Sequence, residues 1–94
     1  MNFKAFVSVI VDYTHYKGNR ITVDSDIIKI TGIYPLKIEK KDILRIVNVN
    51  RKIFNRNDVI IEYLNGSKIN KIRLRFMRKS KLEIFKNILK AEDM

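Results

Sequence analysis

The chain has 94 residues, enough for one domain, and its 20 Lys and Arg against 10 Asp and Glu give a formal net charge of +10. A hydrophobic share of 46% argues against a disordered chain, and the absence of cysteine excludes disulfide scaffolds, Cys-ligated zinc and thiol nucleophiles. Ile, Lys and Asn dominate the composition, as an AT-rich coding sequence would produce, so part of the charge is compositional background. The rest is uneven. Residues 1–47 carry eight basic and five acidic side chains, net +3; residues 48–94 carry 12 and five, net +7.

Most of the chain follows period-two patterning broken by turn residues. In Phe3 to Val11, Phe3, Ala5, Val7, Val9 and Val11 share one strand face, with Lys4, Ser8 and Asp12 on the other. Thr14 to Asn19, containing Lys17-Gly18-Asn19, reads as a loop, and Arg20 to Val23 as a second strand. Asp24-Ser25-Asp26 is a turn, since these side chains bond nearby backbone amides. Ile27 to Thr31 is a third strand, Gly32-Ile33-Tyr34-Pro35 breaks it, and Leu36 to Glu39 is a fourth. Ile43 to Asn50 is a fifth, with Ile43, Val47 and Val49 on one face and Leu44 and Ile46 on the other. A loop over Arg51 to Asn57 leads to a sixth strand, Asp58 to Leu64, facing Val59, Ile61 and Tyr63 together. Asn65-Gly66 predicts a type I′ hairpin into a seventh strand, Ile69 to Phe76.

The period then changes. Ser80 and Glu83 form a capping-box pattern, and Leu82, Phe85, Ile88 and Leu89 make one apolar stripe on a helix over about 80–91. The expected organisation is a single domain over residues 1–94, with strands over about 3–76 and one terminal helix able to plug an open sheet end.

Seven strands followed by a helix fit neither the OB-fold, with its helix between strands, nor the Sm-like barrel, with its helix first. The order resembles the pleckstrin-homology-like domain, a mainly β fold in which a seven-stranded antiparallel barrel is capped by one C-terminal α-helix. The segment over 20–47 (RITVDSDIIKITGIYPLKIEKKDILRIV), with its Asp42-Ile43-Leu44-Arg45-Ile46 step, is similar to the prokaryotic and GRAM-type members. The resemblance implies binding of anionic lipid headgroups or protein partners. The lipid-binding members carry a Lys, a spacer and Arg-x-Arg around their first loop. Here only Lys17 and Arg20 match, and Thr22 stands at the second Arg, so that site does not carry over.

Two local features carry the functional expectation. Lys71, Arg73 and Arg75 project from one strand face at roughly 7 Å spacing, which suits phosphates of a nucleic acid or of headgroups, or an ordinary solvated face. The loop holding Arg51, Lys52 and Arg56 sets Ile53 and Phe54 between cations. That is what a membrane- or partner-docking tip needs, although inward packing of the pair is equally compatible. His15 reads as exposed in a loop, the glycines mark turns, and no nucleophile, P-loop or metal-ligand spacing is present. The expectation is a non-enzymatic, basic binding module without cofactor or metal. It is cytoplasmic, with any membrane contact peripheral, since no leader or span is seen. Its partner would be a protein or anionic lipid headgroups, with nucleic acid as the alternative. Homo-oligomerisation would use an edge strand.

Overall fold

A computed structural model describes residues 3–49 and 57–89 of the chain. Seven antiparallel strands precede one helix: β1 Phe3–Val11, β2 Thr14–Val23, β3 Ile27–Thr31, β4 Leu36–Glu39, β5 Ile43–Asn48, β6 Asp58–Asn65, β7 Lys68–Phe76 and α1 Lys79–Leu89. A 3-10 turn, Lys40–Asp42, joins β4 to β5. The strands form one sheet in the order β4-β3-β2-β1-β7-β6-β5. Every neighbouring pair is antiparallel.

The alternation of side chains decides the shape. Phe3, Ala5, Val7 and Val9 of β1 share one buried cluster with Ile38 of edge strand β4 and Ile46 of edge strand β5. A flat sheet would hold its two edges far apart, so one common core requires the sheet to curl around it. The barrel that the resemblance implies is nevertheless not closed. β4 and β5 remain edges without hydrogen bonds between them, and the 3-10 turn crosses the seam.

Phe85 closes one end. Its ring lies 5.1 Å from that of Phe76 and 6.0 Å from that of Phe3, and it is fully buried. Leu82 is buried beside it, with Ile88 and Leu89 against the same core. The helical stripe thus falls where its periodicity places it, and burial of the Phe85 ring contributes about 2–3 kcal/mol. Its start differs from expectation. Ser80 lies inside the first turn of α1, out of capping register, and Glu83 pairs with Lys86 at 3.2 Å instead.

Other boundaries shift for identifiable reasons. The chain reverses at Asp12 and Tyr13, both at positive φ (48° and 68°), so Thr14 already pairs with Val11. The segment 14–19 is therefore strand, not loop, and His15 is an exposed strand residue. Lys17 and Gly18 form a bulge between the Val7–Asn19 and Val9–Tyr16 pairs, with Gly18 at φ 80°. The β6–β7 hairpin pairs Asn65 with Lys68, leaving Gly66 and Ser67 as the loop, one residue later than expected. Only Gly66 has positive φ there, which is the type II′ pattern. A register shift between Ile43 and Arg45 separates Leu44 from Ile46. Leu44 is half exposed while Ile43 packs on the core that buries Ile46, so the predicted pairing of Leu44 with Ile46 on one face fails.

Asn19 locks the bulge to the β3–β4 turn. Fully buried, it donates from Nδ2 to the Tyr16 carbonyl at 2.6 Å and accepts the Tyr34 amide at Oδ1 at 2.8 Å. Gly32, at φ 126°, leaves room for this: a Cβ there would meet the Gly18 carbonyl at 2.8 Å and Asn19 Oδ1 at 2.9 Å. Among the described residues, no helix is long and apolar enough to cross a membrane.

Candidate anionic-partner site

The predicted cationic row on β7 is where the sequence pointed first. Lys71, Arg73 and Arg75 do share the face opposite Ile72, Leu74 and Phe76. The adjacent strand changes their meaning. Asp58 stands directly opposite Arg75, and Arg73 lies two pairs along, opposite Ile60. Arg73 Nε donates to Asp58 Oδ2 at 2.6 Å; Arg75 donates from Nε to Oδ1 at 2.8 Å and from Nη2 to Oδ2 at 3.0 Å. The Asp58 side chain is only 1% exposed. Burial pushes its carboxyl up, but the hydrogen bonds from Arg75 and Arg73, with their charges, outweigh burial and hold it below the usual value. The Arg75 value is raised in turn by its bond to Asp58. Two cations of the row are therefore engaged in holding β6 to β7. The third, Lys71, faces Glu62, which Arg45 binds at 3.2 Å.

The predicted tip, Arg51, Lys52, Ile53, Phe54 and Arg56, lies outside the described residues.

A different surface gathers cations. Between β1 and the start of α1 runs a cleft of about 470 Å³ lined by Lys4, Ala5, Phe6, Arg20, Met77, Arg78 and Lys81. That volume is within the roughly 300–1,000 Å³ of ordinary ligand clefts. Pairing places each part. Phe6 sits directly opposite Arg20 on the outer sheet face, and the Arg20 guanidinium lies 5.1 Å above its ring. The Met77 amide donates to the Phe6 carbonyl at 3.2 Å, which brings the β7–α1 junction against β1. The first turn of the helix then sets Lys81 5.5 Å from the ring of Phe3. Phe6 keeps 60% and Met77 73% of their surface exposed.

Four cations thus surround two exposed apolar side chains, and among the described residues no Asp or Glu lines the cleft. Such a surface attracts anions and offers apolar area to whatever carries them. Among the described residues its lining holds no histidine, hydroxyl or carboxylate. Among the described residues no three His, Asp or Glu side chains converge as metal ligands.

None of Lys4, Phe6, Arg20, Met77, Arg78 or Lys81 was singled out from sequence as part of a common site. A signal existed at Phe6, a large apolar residue in phase with Lys4 and Ser8 on the polar face of its strand. Nothing in sequence spacing, however, brings residue 6 to residue 81. No known family model matches the chain, and no curated protein matches it in sequence.

Proposed function

We propose that the protein is a small non-enzymatic binding module that engages an anionic partner through the Lys4–Phe6–Arg20–Met77–Arg78–Lys81 cleft. The observation that carries this reading is the collection of four cations around two exposed apolar side chains, with no carboxylate among the described residues of the lining. The seven antiparallel strands followed by one helix support the resemblance to pleckstrin-homology-like domains, whose members contact proteins or anionic membranes. The nucleic-acid reading through Lys71, Arg73 and Arg75 has less support, because Asp58 engages two of the three.

Fluorescence anisotropy with labelled polyglutamate, and co-sedimentation with phosphatidylserine vesicles, test the proposal. At least one probe binds the native protein, and binding falls about tenfold or more in the Arg78→Glu, Lys81→Glu double variant. Absence of binding to both probes at low salt, where charge attraction is strongest, refutes it.

A further inference from the structure

The cleft has a backbone wall as well as a charged one. In antiparallel sheets the N–H and C=O of alternate residues point to opposite neighbours. The Phe6 carbonyl points toward β7, since it accepts the Met77 amide. Lys4, two residues earlier, presents its N–H and C=O to that same side. The β1–β7 register covers only Val7 to Ile10, and after Met77 the chain turns into α1. Among the described residues, no strand is registered on that side of Phe3, Lys4 and Ala5. The first part of β1 is thus a sheet margin inside the sheet, beside the cleft.

We infer that this margin accepts an extended acidic segment of a partner protein as an added strand, with the Lys4 backbone as its ladder position and Phe6 and Met77 as its apolar contacts. The inference rests on the proposed anionic-partner reading and names the partner's chemistry. Strand addition takes affinity from main-chain hydrogen bonds and specificity from alternate side chains. Acidic residues of the segment meet Lys4 and Arg20 on one flank and Arg78 and Lys81 on the other. A second copy of this chain is a poor occupant, because each copy carries a net +10. A headgroup alone leaves the ladder position and the apolar pair largely unused.

The test uses the whole protein and a short fluorescein-labelled peptide alternating Glu with Val. Two isomers of it are N-methylated, one on the Glu nitrogens and one on the Val nitrogens, so that each blocks a different edge. The unmodified peptide binds, at least one methylated isomer binds about tenfold or more weakly, and the Arg78→Glu, Lys81→Glu variant loses binding to a similar degree. If both methylated isomers bind as tightly as the parent, strand addition is wrong while the anionic-partner reading stands. If phosphatidylserine vesicles bind and the peptide does not, the peptide occupant is wrong and a membrane takes its place. If the double variant binds the peptide normally, the location is wrong. If peptide, polyglutamate and vesicles all fail to bind, the underlying reading falls with the inference.

Discussion

Two cationic regions of this molecule have opposite fates. On β7, Arg73 and Arg75 converge on the buried carboxylate of Asp58 and become part of how the sheet holds together. At the β1–α1 cleft, Lys4, Arg20, Arg78 and Lys81 line one concavity with no carboxylate among its described walls. The β7 row stands out in sequence because its charges alternate along one strand. The cleft cations are scattered along the chain, because they come from two strands and the start of the helix. A net charge of +10 therefore says little until each cation's counter-ion is located.

The largest expected effect probes what the cleft stands on. Phe85→Ala removes the ring that seats α1 on Phe3 and Phe76, and costs about 3–5 kcal/mol by urea denaturation. The same variant weakens anion binding at the cleft, since Lys81 rides on that helix; intact binding in a destabilised Phe85→Ala protein would separate the two.

Asp58→Ala sharpens the contrast directly. It leaves two guanidinium groups without their carboxylate, at a cost of about 3 kcal/mol. This is the lower end of the range for breaking a buried ion pair, because both arginine side chains stay 24% exposed. A loss below about 0.5 kcal/mol would make the β7 cluster ordinary surface. Acid denaturation gives the matching pH test. Asp58 is held below its ordinary value of 3.8, so it binds fewer protons folded than unfolded. Its stabilisation is present above that value and declines as pH falls through it toward the lower folded value. The stability gap between the native protein and Asp58→Asn accordingly narrows from about pH 5 downward. Asp24 titrates in the same direction, held down by the backbone amides of Asp26 and Ile27, but is common to both proteins and cancels in the difference. The smallest effect belongs to the cleft: Arg78→Ala with Lys81→Ala changes stability by no more than about 0.5 kcal/mol and runs parallel to the native protein with pH.

Much of the fold was legible because period-two patterning and turn residues are local signals. The core faces of β1, β6 and β7 and the apolar stripe of α1 lie where alternation and helical spacing put them. What was not legible depends on geometry that spacing does not encode. The Asp12–Tyr13 reversal lacks a glycine, so a strand passed for a loop. The bulge at Leu44 moves Ile43 and Ile46 to the same core, against simple alternation. Asn19, in a turn-like Lys-Gly-Asn run, is a fully buried hydrogen-bonding residue because Gly32 lets the next turn approach it. At the candidate site, the β7 row was visible but the register that sets Asp58 against it was not. The cleft was hidden for the same reason, since only the β1–β2 pairing and the β7–α1 junction bring its parts together.

The central claim is that available charge resides in the cleft rather than on β7. Anisotropy of labelled polyglutamate, measured side by side for Arg78→Glu with Lys81→Glu and for Lys71→Glu, tests it most directly. All three positions carry exposed or partly exposed cations, so the substitutions leave the core untouched. The cleft variant loses affinity about tenfold or more, while Lys71→Glu stays within about twofold of the native protein. Equal losses in both, or a larger loss for Lys71→Glu, would contradict the assignment.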